Sequence, residues 1–137
     1  MSPSHPSLTL HADGGARGNP GPAGAGAVLY DPDGREVAAL SRYLGVATNN
    51  QAEYQALLMG LEEARRLGAA ELTVKLDSEL IVRQLQGRYR VKAPGLKPLH
   101  ARAKRLLQPF ASVTILHVPR EQNQRADELA NQAMDQR

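Results

Sequence analysis

Residues 48–61 read Thr48-Asn49-Asn50-Gln51-Ala52-Glu53-Tyr54-Gln55-Ala56-Leu57-Leu58-Met59-Gly60-Leu61, and here the chain changes period. Ala52, Ala56, Leu57, Gly60, Leu61, Ala64 and Leu67 recur at helical spacing, and Gly68 supplies a C-cap. Thr48 to Gln51 has the form of a capping box, so a helix starts there. Before this point the pattern is that of strands. Leu8, Leu10 and Ala12 alternate with Thr9, His11 and Asp13, followed by a Gly/Pro loop over 14–22 and a small-residue run over 23–30. Asp31-Pro32-Asp33-Gly34 is a turn by composition, and residues 35–43 read as the strand returning from it. These three strands form an antiparallel meander.

Downstream of the helix the two periods alternate. Residues 71–76 form a short aliphatic strand, 78–85 a helix, 87–94 a polar connector, and 96–107 a basic helix. Residues 111–118 are another strand and 122–134 a closing helix. An order of three strands, helix, strand, helices, strand, helix predicts an α/β fold: one mixed sheet with helices on its faces. The later strands are expected to be parallel, joined by right-handed crossovers.

At 137 residues the chain accommodates one domain, expected over 7–136 with a Pro/Ser tail at 1–6. Its 42% apolar and 23% charged content is that of a globular protein. The absence of cysteine excludes a disulfide scaffold, thiolate metal sites and a cysteine nucleophile. No apolar run approaches the roughly 20 residues that span a bilayer, so no membrane partner is expected. Met1-Ser2-Pro3-Ser4-His5-Pro6 lacks the features of a secretory signal, which makes a cytoplasmic location the expectation.

The net charge of +3 is unevenly spread. Residues 80–120 contain no acid and nine of the 17 basic residues, among them Arg88, Arg90, Lys92 and Arg120. The remainder carries a balance of −6. A basic segment on an acidic body fits a polyanion partner and a separate site that gathers negative charge, or else a solvated helix face.

Four acids stand apart from what the fold requires. Glu53 falls inside the apolar stripe of its helix, where a charge is unfavourable unless paired or bound to a cation. Asp77 ends the strand 71–76 at the edge where open α/β sheets gather ligands, although taken alone a helix N-cap accounts for it better. Asp13 ends the first strand, or initiates the turn that follows. Asp127 lies in the first turn of the last helix, where the dipole also favours an acid. Taken together, two acids at strand ends and two in first helical turns predict an oxygen-only cluster. Such a cluster suits Mg²⁺ or Mn²⁺ and can hold two ions for phosphoryl transfer.

At these residues the sequence resembles the ribonuclease H family, type 1. The matching segments are residues 11–24, Thr48-Asn49-Asn50-Gln51-Ala52-Glu53, Leu76-Asp77-Ser78-Glu79 and Arg125-Ala126-Asp127-Glu128-Leu129-Ala130. They come in the family's order, each contributing one acid. The resemblance implies a ribonuclease H-like mixed five-stranded sheet, three antiparallel strands then parallel ones, with helices on both faces. It implies hydrolysis of the RNA strand of RNA–DNA hybrids, leaving 5′-phosphates, with Asp13, Glu53, Asp77 and Asp127 as catalytic metal ligands. It also places Gly14, Gly15, Asn19, Thr48, Asn49, Asn50 and Ser78 in substrate binding. Asn49 and Asn50 would reach 2′-hydroxyls in the shallow minor groove, and Thr48 a DNA phosphate.

Two features depart from the family's pattern. The loop Pro119-Arg120-Glu121-Gln122-Asn123-Gln124 lacks the histidine of better-known members, His117 being a packed or surface residue. Either Arg120 or Glu121 stands in for it or the step goes unassisted, and Arg120 is the expectation. The connector at 87–94 is short, with Tyr89 its one aromatic, so grip on the substrate should rest on Arg88, Arg90 and Lys92. These departures leave open a nuclease of wider specificity, acting on double-stranded RNA, or a non-catalytic nucleic-acid-binding module of the same fold. A monomer is expected.

Overall fold

The computed structural model describes residues 6–137. A meander of β1 (Ser7–Ala16), β2 (Gly21–Tyr30) and β3 (Glu36–Ala47) leads into α1 (Asn49–Arg66). Then come β4 (Glu71–Leu76), α2 (Glu79–Leu85), α3 (Lys97–Leu107) and β5 (Ser112–His117). A 3₁₀ turn, Arg120–Gln122, precedes α4 (Gln124–Asp135). The five strands form one sheet in the order β3-β2-β1-β4-β5, antiparallel in the meander and parallel where β4 joins β1 and β5 joins β4. Of the expected tail, residues 1–5 lie outside the described residues. The carbonyl of Pro6 accepts from the N–H groups of Ala70 (2.9 Å) and Glu71 (2.8 Å), which ties the chain's entry to β4.

The capping box at α1 forms as its sequence dictates. Thr48 Oγ1 accepts from the Gln51 N–H at 3.2 Å, and Gln51 Oε1 accepts from the Thr48 N–H at 2.9 Å. Two strands run past their expected ends. β1 continues beyond Asp13 because Gly14, Gly15 and Ala16 pair with Ala25, Gly24 and Ala23 of β2. β3 continues to Ala47 through a bulge at Leu44–Gly45 that shifts the register with β2 by one residue. The last helix starts at Gln124 rather than Gln122, since residues 120–122 form the 3₁₀ turn.

Alternate residues of β2 separate the two faces of the sheet. Ala25, Ala27 and Leu29 join the main core, where Leu10, Val74 and Leu76 meet Tyr54, Leu57 and Leu61 of α1. Val28 faces the other way, against Ala126 and Leu129 of α4. Helices therefore cover both faces, as the mixed sheet implied. On the α4 side the approach is close enough to require a glycine: a Cβ on Gly26 would strike the Ala126 carbonyl. Among the described residues no helix is long and apolar enough to cross a membrane.

Candidate active site

The sheet register brings the first two acids together. Ala12 and Leu76 are the last paired residues of the parallel β1–β4 ladder, so Asp13 and Asp77 follow side by side at its carboxyl end. Asp13 is thus not the end of β1, which still pairs with β2, but it is the first residue past its pairing with β4. Asp77 is not a helix cap either. Ser78 takes that role for α2, its Oγ accepting from the Ile81 N–H at 3.4 Å, which leaves the Asp77 carboxylate free for other work.

The third acid comes from α1, which crosses the sheet against the Gly14 backbone. A Cβ on Gly14 would collide with the Ala52 carbonyl, so glycine here sets how near α1 can come. At that separation the Gly14 N–H donates to Glu53 Oε1 at 3.2 Å. One carboxylate oxygen from each of Asp13, Glu53 and Asp77 lies within 4.8 Å of the other two. Asp127, half-buried in the first turn of α4, stands outside that tight trio with its carboxyl against that of Asp13.

Crowding and burial act on the same groups. Asp13 and Glu53 are each 8% exposed. Asp13 is held far above the ordinary carboxylate range, first by burial, then by the hydrogen bond and charge of Glu53, then by Asp77 and Asp127. Glu53 is raised too, chiefly by burial, with its bonds to Asp13 and the Gly14 N–H opposing and the charges of Asp77 and Asp127 adding. Asp77 is raised by burial and held back most by the positive charge of Arg120. Oε2 of Glu53 is buried without a hydrogen-bond partner among the described residues. A buried, unpartnered carboxylate oxygen in a residue grouped with two other carboxylates is unfavourable for the fold alone. It fits a divalent cation: the donors are all hard oxygens, as Mg²⁺ or Mn²⁺ prefers.

Beside the cluster, Asn19, Thr48, Asn49, Asn50 and Gln51 line one groove of about 520 Å³ with Ala93, Gly95 and Leu96. The groove gathers four of the expected substrate-binding residues, and a hydrogen-bond chain fixes two of them. Asn49 Oδ1 accepts from the Ala16 N–H at 2.8 Å, and Asn19 Oδ1 accepts from the Asn49 N–H at 3.0 Å. Among the described residues neither side-chain NH₂ group has a partner, so both keep their donors for a ligand. Gly15 runs along the Asn49 side chain. Arg88, Arg90 and Lys92 are exposed between α2 and α3, and His117 is exposed at the end of β5. Sequence reasoning missed Asn123, buried between Arg120 and Asp127, because an asparagine before a helix reads as an ordinary cap.

A family profile described as reverse transcriptase-like matches residues 11–133. A bifunctional protein of Mycobacterium tuberculosis is 49% identical over 129 residues, which is 93% of this chain and 35% of that protein. The chain therefore spans about a third of the length of its mycobacterial relatives. The crystal structure of RNase H1 from the halophilic archaeon Halobacterium salinarum superposes with a TM-score of 0.93 at 44% identity, covering 96% of this chain and 99% of that one. LC11-RNase H1, solved in complex with an RNA/DNA hybrid, gives a TM-score of 0.89 at 46% identity over 94% of this chain and 97% of that one. Matched at this identity over nearly its whole length, the chain belongs to the ribonuclease H family, in the branch of ribonuclease HI.

Proposed function

We propose that this chain is an endoribonuclease that cuts the RNA strand of RNA–DNA hybrids, using two divalent cations in the substrate complex and leaving 5′-phosphate ends. The observation that carries the reading is the Asp13, Glu53 and Asp77 trio with the unpartnered Glu53 oxygen, opening beside a groove of short amide side chains. Asp13, Glu53 and Asp77 would hold one Mg²⁺ or Mn²⁺, with Asp13 shared and Asp127 serving a second. Bound there, such ions supply Lewis-acid stabilisation of phosphoryl charge and a water acidic enough to attack at neutral pH.

The chain's own groups supply recognition. The free NH₂ donors of Asn19 and Asn49, together with Asn50, suit 2′-hydroxyls and base edges, and a hybrid carries 2′-hydroxyls on its RNA strand alone. Gly14 lets α1 come close enough to present Glu53, Gly15 lies along the Asn49 side chain, and Thr48 and Ser78 cap the starts of α1 and α2. Arg88, Arg90 and Lys92 would add phosphate contacts. Arg120, whose charge already reaches Asp77, takes the place of the absent loop histidine. A guanidinium stays charged at any working pH, so its part is to hold a phosphate oxygen, not to shuttle protons. A monomer working in the cytoplasm goes with this reading.

The test is incubation of the purified chain with labelled RNA–DNA hybrid, duplex RNA and duplex DNA, with Mg²⁺ and with Mn²⁺. Cleavage of the hybrid alone, lost in Asp13→Asn, is expected. Equal cutting of duplex RNA would replace the reading with a nuclease of wider specificity. Binding without cutting would leave a non-catalytic module.

A further inference from the structure

Asn123 is 1% exposed and occupies the N-cap position of α4, yet its side chain does not cap that helix. It turns to β1 instead. Its Nδ2 donates to the Ala12 carbonyl at 2.9 Å, one residue before Asp13, and its Oδ1 lies 3.2 Å from His11 Nδ1. The amide's orientation settles the histidine tautomer. A carbonyl only accepts, so Nδ2 must face Ala12, which turns Oδ1 to His11 and makes Nδ1–H the donor. The His11 ring is steadied edge-on against Tyr30, with centroids 5.4 Å apart and planes at 87°.

The main chain of Asn123 is engaged twice more. Its N–H donates to the Arg120 carbonyl at 2.9 Å, and its carbonyl accepts from the Asp127 N–H at 3.1 Å. One buried residue thus joins the strand that carries Asp13, the turn that carries Arg120 and the helix that carries Asp127. A helix cap alone would need none of the contacts to β1.

We propose that Asn123, oriented by His11, is a positioning residue that holds Asp127 and the Arg120 turn in place against the carboxyl end of β1. The role rests on the nuclease reading above and goes beyond its catalytic set. Losing the Ala12 contact frees the start of α4 to shift, and displacements of about 1 Å at a reacting group lower rates by up to roughly a hundredfold. Outer-shell partners of metal ligands typically contribute about 10–100-fold to affinity or activity.

Two variants test this. Asn123→Ala removes the link to Ala12, and His11→Phe keeps a ring against Tyr30 while deleting the donor to Asn123. For Asn123→Ala, kcat on the hybrid should fall about 10–100-fold with KM changed less than about twofold. The Mn²⁺ concentration for half-maximal rate should rise about tenfold. The Tm gain that Mn²⁺ alone gives the protein should shrink, a readout independent of cleavage. His11→Phe should move the same quantities less far, and decides the matter if Asn123→Ala does not fold. The proposal is overturned if the Mn²⁺ midpoint and the Mn²⁺-induced Tm gain stay at wild-type values, with kcat falling only as the folded fraction falls. Should the wild type gain Tm with Mn²⁺ but cut no hybrid, the nuclease reading fails, and the Tm gain of the two variants still judges the positioning role.

Discussion

Glu53 and Tyr54 are neighbours on α1, both buried, and their surroundings are opposite. The Tyr54 hydroxyl donates to Gln84 Oε1 at 2.6 Å, in a closed pair that joins α1 to α2, with His100 edge-on to the ring. Glu53 has one oxygen on the Gly14 N–H and the other, among the described residues, on nothing, and burial together with the charges of Asp77 and Asp127 raises its proton affinity. A buried polar group whose partners are complete serves the fold. One left incomplete among like charges weakens the fold and is accounted for by what binds there. Stability and activity should therefore respond in opposite senses at the two places.

The largest expected effect is at the acids. Asp13→Asn should reduce hybrid cleavage by about a thousandfold or more, roughly 4 kcal/mol of transition-state stabilisation. The same variant should melt a few degrees higher than wild type in EDTA, because the Asp13 carboxyl must take up a proton to be buried among the other acids and an amide need not. An Asp13→Asn protein that melts lower without metal would break the comparison.

The pH dependence sharpens it. Asp13, Glu53 and Asp77 all hold protons more tightly folded than unfolded. The stability linked to them is present below the ordinary carboxylate range and is lost as pH rises through their raised folded values. Thermal melts without metal from about pH 4 to about pH 8 should show wild type falling progressively below Asp13→Asn, and added Mn²⁺ should close the gap. Parallel curves for the two proteins would contradict this.

Glu53 is legible in the sequence because a charge inside an apolar helical stripe weakens the helix's packing unless something binds it. Asp77 is less so: an acid between strand and helix is also a cap, and only the structure shows Ser78 taking that role. Asp13 reads as a strand end because the alternation stops at Gly14 and Gly15. Those glycines still pair with β2, and what ends at Ala12 is the ladder with β4, a long-range contact that local periodicity does not encode. Likewise Gly45 interrupts the alternation of β3 without ending the strand, since a bulge takes up the extra residue. Asn123 is invisible at the level of sequence because a helix-capping position accounts for it fully, while its side-chain partners lie more than a hundred residues upstream.

On the structural side, Tyr54→Phe leaves the buried Gln84 oxygen without its donor and should cost about 1–3 kcal/mol of stability. Below its lowered Tm, kcat on the hybrid should match wild type, as chemical denaturation beside steady-state kinetics can show. A loss of kcat without a loss of stability would put Tyr54 on the wrong side of the comparison.

The smallest effects belong to the connector cations. Arg90→Ala and Lys92→Ala should leave both stability and kcat near wild type and weaken hybrid binding by a few fold. Each phosphate contact removed should reduce the slope of log affinity against log salt by about 0.9. An unchanged slope would assign the connector to solvent.

The most direct measurement is the anomalous density of a crystal of this protein soaked in Mn²⁺. An ion held by oxygens of Asp13, Glu53 and Asp77, with Glu53 Oε2 engaged, is the expected result. Manganese bound only elsewhere, with these three carboxylates in place and unligated, would contradict the account.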